Sequence, residues 1–185
     1  YRNVRIAAEP LQKPHPPLWT APIEPSRAAD AARLKANMVT LIPNPGIKAL
    51  TDAYRAQWQA QGGAAADTPL MGVTRHVVVA DSDAKAAEIA HGAYKAWRHY
   101  MAFLWEWSGI AFPIGMIYPD DFAALQGMGM GIAGTPETVR RYIASTVAQT
   151  GVTYFVCDFA FGSIPYADAS RSVELFAKDV MPAFR

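Results

Sequence analysis

Histidines, which suit acid–base chemistry near neutral pH and metal binding, are few in this chain and widely spaced. The four histidines are His15, His76, His91 and His99. None of them has a metal-binding spacing such as H-E-x-x-H, and the two on one predicted helix lie eight residues apart. We therefore interpret each histidine as a surface or packed side chain and predict no metal site.

The last predicted strand carries the one cysteine, Cys157, and an acidic residue after it, Asp158. The apolar neighbours of Cys157 indicate an inert, buried thiol. Asp158 can face the end of the strand, but the sequence shows no partner for it, so we assign it no role. A single cysteine excludes an intrachain disulfide framework and a multi-cysteine zinc or iron–sulfur site. The compartment that best fits this cysteine usage is a reducing cytoplasm.

The segment Gly129–Gly134 has the letters of the dinucleotide-binding motif G-x-G-x-x-G. That motif needs a strand directly before it and an acidic residue about 20 positions after it. Residues 121–126 do not have the pattern of a strand, and no acidic residue follows at that distance. We therefore interpret the segment as a mobile loop without a nucleotide.

Aromatic residues are dense between positions 94 and 107. We interpret them as the buried stripe of one long helix. The functional alternatives are one wall of an apolar substrate pocket or a dimer face. The residues concerned are Tyr94, Trp97, Tyr100, Phe103, Trp105 and Trp107.

The composition is globular. The chain has 185 residues, of which 51% are hydrophobic and 18% charged, enough for one sizeable core but not for two domains. A net charge of +1 with scattered basic residues argues against a nucleic-acid or acidic-membrane surface. No apolar run approaches the roughly 20 residues that cross a bilayer, and the chain does not open on a signal-peptide pattern. These features predict a soluble protein.

Six of the 14 prolines fall within the first 25 residues, which predicts an extended lead-in over residues 1–17. After it, short apolar runs alternate with segments of helical periodicity. The predicted strands cover residues 18–21, 38–42, 73–80 and 152–159, and the predicted helices begin near residues 27, 47, 84, 136 and 170. Glycine and proline are frequent in residues 106–134 without a clean period, which predicts a long loop excursion.

Apolar strands that alternate with helices predict an α/β fold with a parallel sheet covered by helices. Four strands are half of a (β/α)8 barrel, which typically takes about 250 residues. The sequence leaves two possibilities open. The chain forms a small open sheet that is complete in itself, or it is half a barrel whose other strands lie upstream or in a partner chain.

Several segments, in order along the chain, resemble the bacterial luciferase-like monooxygenases, which are flavin- or deazaflavin-dependent (β/α)8 barrels. They are Pro10–Ala21, His76–Asp81, Gly134–Val139, Gly151–Val152 and Arg171–Ala177. The match covers only the second half of that family's barrel. The resemblance implies that residues 1–185 form a single partial domain with strands five to eight of the barrel. A chain that opens on Tyr1 instead of Met fits that expectation.

The resemblance implies an enzyme in which reduced flavin, FMN, and O2 oxidise a small organic substrate. The sibling alternative is an oxidoreductase that depends on the deazaflavin F420. The resemblance further implies a separate flavin reductase, a homo-oligomer and a cytoplasmic location. Most catalytic groups then lie upstream, so we expect this chain alone to be inactive. A further alternative is a non-catalytic half-barrel that dimerises through its open sheet edges.

The resemblance also implies where the cofactor binds. The first strand-to-helix turn matches a turn that holds the cofactor phosphate, at a helix N-terminus that favours anions. The alternative for Ser26 is that it only caps the helix. Ile42 matches a position beside the flavin ring, with a plain core residue as its alternative, and the Gly129–Gly134 loop matches a region that can act as a lid. The implied cofactor-binding residues are Thr20, Ala21, Glu24, Pro25, Ser26 and Ile42.

Overall fold

Strands and helices alternate along most of the chain. The computed structural model describes residues 10–113 and 118–184. The five strands in these ranges are β1 (Trp19–Thr20), β2 (Asn37–Thr40), β3 (Met71–Val79), β4 (Gly131–Gly134) and β5 (Tyr154–Asp158). The helices are α1 (Pro25–Arg33), α2 (Asn44–Ala60), α3 (Asp83–Trp107), α4 (Phe122–Gly127), α5 (Pro136–Thr150) and α6 (Tyr166–Leu175). None of the helices in these ranges is both long and apolar enough to cross a membrane.

Shorter helical turns complete the chain. A 3-10 turn covers Ala65–Asp67. α6 continues into a π-helical turn at Phe176–Val180 and a 3-10 turn at Met181–Phe184. The described part of the predicted lead-in, residues 10–17, contains neither helix nor strand, and residues 1–9 of that prediction lie outside the described residues.

All strand pairs in the sheet are parallel, and β3 is the central strand. Gly72 pairs with both β2 and β5, so these two strands lie on opposite edges of β3. His76 pairs with both β4 and β5, which places β4 on the same edge as β2 but farther along β3. The path β1–β2–β3–β5 is therefore a continuous run of neighbouring strands, and β4 pairs with the C-terminal half of β3.

The predicted loop excursion over residues 106–134 is wrong for much of its length. α3 continues to Trp107, and the segment contains α4 and β4. The Asp121 side chain caps α4 by accepting a hydrogen bond from the Ala124 amide at 2.8 Å. Gly131–Gly134, which we predicted as a mobile loop, is a buried strand paired with β3. Its glycines have low β-propensity, so tertiary pairing forms this strand where the local sequence does not favour it.

The two faces of β3 have different neighbours. Val73, Val77 and Val79 pack against α2, α5 and α6 on one face, together with residues of those helices such as Ile47 and Val139. Val78, on the other face, packs against α3. Thr74 and His76 share that second face because side chains alternate along a strand.

The second face is concave and is only partly covered by the described residues. Trp19 of β1 and Tyr154 of β5 contact each other across it, with ring centroids 5.4 Å apart. In a flat sheet these two strands would lie about 14 Å apart, because three spacings of about 4.8 Å separate them. The contact between the two rings therefore requires a curved sheet. Gly72 lies between them without a side chain, and a Cβ there would be 3.2 Å from the Tyr154 ring. Both aromatic residues remain more than 40% exposed.

Candidate functional site

The carboxyl ends of parallel strands form the active sites of barrel enzymes. A cavity of about 230 Å³ lies beside the middle of β3 and the carboxyl end of β5. Its polar side chains come from these two strands, and its apolar side chains come from α3 and from connecting segments. The lining residues are Leu41, Thr74, His76, Trp97, Tyr118, Met130 and Asp158.

His76 and Asp158 are the ionisable pair of this cavity. They are register partners on β3 and β5, and both side chains lie on the concave face. His76 Nδ1 lies 3.0 Å from Asp158 Oδ2, within ion-pair distance although not aligned as a good hydrogen bond. The His76 side chain is 10% exposed and that of Asp158 is 35% exposed. The pair therefore stands at the border between protein interior and cavity.

The Asp158 carboxyl is held in its ionised form. Contact with the His76 imidazole lowers the pKa of Asp158 from its ordinary value, and partial burial opposes this shift. The Ala160 amide donates a second, longer hydrogen bond to Oδ1 at 3.3 Å. A carboxylate beside Nδ1 favours the tautomer that carries a proton on Nδ1.

Three aromatic rings surround the His76 imidazole. The ring centroid of Phe161 lies 4.4 Å away, that of Trp97 4.7 Å and that of Tyr94 6.0 Å. Tyr94 and Trp97 come from α3, and Phe161 comes from the loop after β5. This packing fixes the plane of the imidazole and removes water from its faces.

The segment after α3 covers the cavity. Tyr94 donates a hydrogen bond to the Pro119 carbonyl at 2.9 Å. Arg98 Nε donates one to the Tyr118 carbonyl at 2.8 Å, and the Arg98 guanidinium stands over the Phe112 ring at 4.5 Å. These contacts hold the Tyr118 ring 5.0 Å from Trp97, where both rings form the cavity wall.

The predicted buried aromatic stripe is correct only for the first half of α3. Tyr94 is buried and Trp97 is half-buried against the cavity. Tyr100 is 71% exposed and Trp107 78% exposed, and Phe103 and Trp105 are each more than 40% exposed. The second half of the helix buries Ala102 but leaves these four aromatic side chains largely exposed among the described residues.

Arg75 lies on the opposite face of β3 and is almost completely buried, with 1% exposure. Its guanidinium donates hydrogen bonds to the Ile42 carbonyl at 3.0 Å and to Asn44 Oδ1 at 2.8 Å. No carboxylate of the described residues pairs with it, its Nε has no partner, and burial lowers its pKa. Arg75 therefore ties the loop after β2 to the central strand without a counter-ion.

The loop after β2 carries Ile42, one of the predicted flavin-contact positions. The Ile42 side chain is half-buried and packs with residues of the α2 side, including Ile47 and Val73. The preceding residue, Leu41, lines the cavity. Part of the Ile42 side chain thus packs against the core on the α2 side, and its neighbour Leu41 lies at the cavity.

The predicted phosphate-binding turn lies at the N-terminus of α1. Glu24 occupies the N-cap without a side-chain hydrogen bond, and Pro25 is the first helical residue. The alternative that Ser26 caps the helix is therefore wrong, and its side chain is exposed. Thr20 Oγ1 is buried and has no hydrogen-bond partner among the described residues, while Ala21 is exposed.

Two of the predicted turn residues border a cleft of about 290 Å³ beside α1, and Glu24, Pro25 and Ser26 are not among its lining residues. Thr20 and Ala21 line it together with Arg27, whose side chain is 71% exposed and contacts Asp30 at 3.4 Å. The cleft is separate from the cavity at His76, and the two have no lining residue in common. The structure therefore does not bring the predicted cofactor residues together with the His76–Asp158 pair.

The remaining histidines and the cysteine lie apart from the cavity. His15, His91 and His99 are exposed. Cys157 is half-buried on the helix-facing side of β5, where burial raises its pKa to about 12. No group of three or more metal-ligating side chains occurs among the described residues.

Sequence reasoning missed the His76–Asp158 pair, because 82 positions separate the two residues. A signal was present. His76 lies on the predicted seventh barrel strand and Asp158 at the end of the eighth, and successive barrel strands are neighbours. The register that makes them partners depends on the pairing of Gly72 with Tyr154, which the strand pattern alone does not give.

No protein-family model matches the chain. The chain is 32% identical over 168 residues to the protein y4wF of Sinorhizobium fredii. That match covers 91% of this chain and 48% of y4wF.

Solved structures share the fold at low sequence identity. The monooxygenase RslO1 of Streptomyces bottropensis has a TM-score of 0.73 at 22% identity, over 94% of this chain and 50% of that one. The oxygenating component of 3,6-diketocamphane monooxygenase from Pseudomonas putida, a Type II Baeyer–Villiger monooxygenase solved with FMN, has a TM-score of 0.69 at 17% identity, over 92% and 50%. The coenzyme F420-dependent tetrahydromethanopterin reductase of Methanopyrus kandleri has a TM-score of 0.58 at 20% identity, over 91% and 51%.

The chain spans about half the length of the proteins that it matches. Its parallel strands and flanking helices correspond in fold to half of a (β/α)8 barrel. The fold class predicted from the sequence motifs is thereby confirmed.

Proposed function

We propose that this chain contributes the C-terminal half of the barrel of a flavin-dependent monooxygenase of the luciferase-like class. In that enzyme reduced FMN and O2 oxidise a small organic substrate. The observation that carries the proposal is the cavity beside the middle of β3 and the carboxyl end of β5, where Trp97, Tyr118 and Leu41 wall off a polar pair. Such a site, apolar with few polar groups, is what a small organic substrate requires.

The residues of the α1 turn fit a flavin phosphate. Glu24 leaves the N-terminal amides of α1 without a side-chain cap, and the Ser26 hydroxyl is exposed beside them. Uncapped helix N-termini attract phosphate through free N–H groups and the helix dipole. Thr20 Oγ1, which is buried and has no hydrogen-bond partner in the described part of the chain, supplies another polar atom at the same turn. The Ser26 and Thr20 hydroxyls and the backbone amides of Glu24 and Ser26 would hold the phosphate, and Pro25 between them has no N–H to donate.

The flavin, when bound, supplies the redox chemistry of the reaction. The residues of this chain bind and orient the substrate and keep water out of the cavity. Leu41 and the aromatic wall exclude water, and Arg75 fixes the loop that carries Leu41 and Ile42. The placement of Ile42 beside the flavin ring stays a prediction.

Cofactor titration tests the proposal. We expect binding of the protein to FMN to quench the flavin fluorescence. The quenching should saturate with protein concentration and give a dissociation constant. If neither FMN nor F420 binds, the proposed function is wrong.

A second candidate function is an F420-dependent oxidoreductase, which the fold likeness to the tetrahydromethanopterin reductase favours. The same titration separates the two, because that enzyme would bind F420 more tightly than FMN. A separate flavin reductase belongs to the monooxygenase proposal alone. Addition of such a reductase with NADH, FMN and O2 would support incorporation of oxygen into an organic substrate only in that case, whereas O2 consumption alone also results from reoxidation of free reduced flavin.

The half-exposed concave face favours a further proposal, that the sheet is covered by another polypeptide segment or by a second copy of this chain. Trp19 and Tyr154 leave apolar surface open on that face. A homodimer predicts twice the chain mass in solution by light scattering. A well-behaved monomer would contradict the homodimer.

A further inference from the structure

We propose that His76, oriented by Asp158, is a proton-accepting site for the hydroxyl group of a small aromatic or enolic ligand. The proposal deepens the proposed function and rests on it for the reaction that follows, since it names the substrate class for the same cavity. The binding and protonation steps themselves need no cofactor.

The first argument is the orientation of the imidazole. Asp158 Oδ2 lies 3.0 Å from Nδ1, and Nδ1 is fully buried. The proton of the neutral imidazole therefore belongs on Nδ1, and Nε2 carries the lone pair. Since His76 lines the cavity and no described residue forms a hydrogen bond with Nε2, this nitrogen is the one left for a ligand.

The second argument is the rigidity of the arrangement. Phe161, Trp97 and Tyr94 contact the imidazole ring at centroid distances between 4.4 and 6.0 Å. A base held by packing on its faces and by a carboxylate at Nδ1 loses no orientation when a ligand arrives. This is the general arrangement of a positioned base, in which a third group orients the nitrogen that accepts the proton.

The third argument is the chemistry of the cavity wall. Trp97 and Tyr118 offer ring surfaces, and Met130 and Leu41 offer apolar contact. An apolar cavity of about 150 Å³ binds benzene, so a cavity of about 230 Å³ has room for a substituted ring. Aromatic rings and the methionine sulfur both favour an aromatic ligand.

The charges near His76 favour a neutral ligand over an anion. Asp158 is ionised and lies at one end of the cavity. Tyr94 packs against the imidazole and Tyr118 lines the same cavity, and burial raises the pKa of both hydroxyls, so both are neutral. The guanidinium of Arg75 lies on the other face of β3. The Asp158 carboxylate would repel a carboxylate ligand, whereas it would not repel a ligand with a neutral hydroxyl group.

The proton step balances within the site. The ligand O–H bond breaks and an N–H bond forms at Nε2. The ligand becomes a phenolate or enolate, and the imidazole becomes an imidazolium that stands between this anion and the Asp158 carboxylate. Electron-rich oxyanions of this kind are more readily oxidised than the parent hydroxyl compounds, which connects the step to the proposed function.

The test uses 4-nitrophenol as the probe, because its phenolate absorbs at longer wavelength than the phenol. At a pH below the ionisation of the free probe, we expect the wild-type protein to bind 4-nitrophenol with the phenolate spectrum. Benzoate is expected to compete at least tenfold more weakly than phenol. Binding as the neutral phenol, or no binding, would overturn the proposal.

Variants assign the effect to the pair. His76→Asn removes the acceptor and should abolish the phenolate signal. Asp158→Asn leaves the imidazole in place and should lower the phenolate share of bound probe roughly tenfold, since it removes a charge-assisted contact. His91→Asn, on the exposed side of α3, is the matched control and should keep the wild-type spectrum. An unchanged signal in His76→Asn would contradict the assignment.

A measurement without ligand keeps the proposal testable if a variant fails to fold. In ¹⁵N spectra of the imidazole nitrogens, His76 of the wild type should show the Nδ1–H tautomer, and Asp158→Asn should show a mixture. An Nε2–H tautomer in the wild type would overturn the proposal without any ligand. FMN titration of the same samples reports the proposed function separately, so either idea can fail alone.

Discussion

His76 and Asp158 are direct neighbours across two parallel strands, paired in register and joined by a 3.0 Å contact between Nδ1 and Oδ2. One side chain comes from the middle of β3 and the other from the last residue of β5. The contact between the two side chains thus depends on the register between β3 and β5. Its contribution to stability and its dependence on pH can both be measured.

The first prediction concerns acid stability. The folded-state pKa of Asp158 is lower than its unfolded value, so its ionised form stabilises the fold above about pH 4. This contribution is lost as the pH falls through the folded-state pKa. Because the carboxyl is about a third exposed, we expect a contribution of roughly 0.5 kcal/mol.

Urea unfolding from pH 6 to pH 2 checks this prediction in the wild type and in Asp158→Asn. The difference in free energy of unfolding between the two should shrink on the acid side. Asp120→Asn is the control, since that side chain is 95% exposed and should leave the profile unchanged. A difference in unfolding free energy that stays constant across the pH range would show that protonation of Asp158 is not linked to folding.

The second prediction concerns Arg75. Replacement by Met removes a buried cation but leaves the Ile42 carbonyl and Asn44 Oδ1 without their donor. Buried acceptors without partners cost about 1–3 kcal/mol each, and removal of the unpaired charge offsets part of that cost. We expect Arg75→Met to lose about 2 kcal/mol of unfolding free energy in urea.

Arg27→Met is the matched control for this measurement, because Arg27 is exposed and pairs only on the surface. Its effect should stay within about 0.5 kcal/mol. If Arg75→Met equals this control, the guanidinium does not hold the loop. If Arg75→Met is more stable than the wild type, the cost of the buried charge exceeds the value of its hydrogen bonds.

The sequence predicted the four strands of the barrel path, because each is a short apolar run between helical segments. β1, β2, β3 and β5 lie within one or two residues of their predicted bounds. Thr135 caps α5 and Pro136 is its first residue, as the sequence predicted. α6 begins at Tyr166, before the predicted start near residue 170, because Pro165 already provides the N-cap.

The segments that were missed depend on contacts over long distances in the sequence. Gly131–Gly134 forms a strand only because β3 offers an unpaired edge beyond β2. A glycine-rich run of four residues has no periodicity that could predict this. Whether Leu41 or Ile42 faces the site depends on the phase of alternation in β2, which one residue of register reverses.

The third prediction concerns the loop that holds Phe161 against His76. Gly162 has a φ of +57°, and a Cβ there would stand 1.8 Å from the Ala93 carbonyl oxygen of α3. Gly162→Ala therefore combines a strained backbone with a clash and should cost about 2–4 kcal/mol. Urea unfolding measures this loss, and the His76 ring resonances should shift as Phe161 moves.

Gly92→Ala is the control on the neighbouring helix. No atom lies within 4 Å of a Cβ at position 92, and α3 is helical there. Alanine should stabilise this helix by about 0.5–1 kcal/mol. The two substitutions are chemically identical and should have opposite signs. Equal effects would mean that the loop after β5 adapts without cost.

The last prediction separates phosphate binding from flavin-ring binding at the α1 turn. Ser26 is exposed and does not cap the helix, so Ser26→Ala should leave the unfolding free energy within about 0.5 kcal/mol of the wild type. If the hydroxyl contacts the cofactor phosphate, its loss removes a charge-assisted hydrogen bond of about 1.5 kcal/mol, or roughly tenfold in affinity.

Riboflavin provides the internal comparison for this variant because it has the flavin ring but lacks the phosphate. Fluorescence titration should show a roughly tenfold weaker dissociation constant of FMN for Ser26→Ala and an unchanged one for riboflavin. Ser108→Ala, at the C-terminal end of α3, is the control and should change neither constant. A loss of affinity for both flavins would place Ser26 at the ring or in the fold, and no loss for FMN would remove it from the phosphate site.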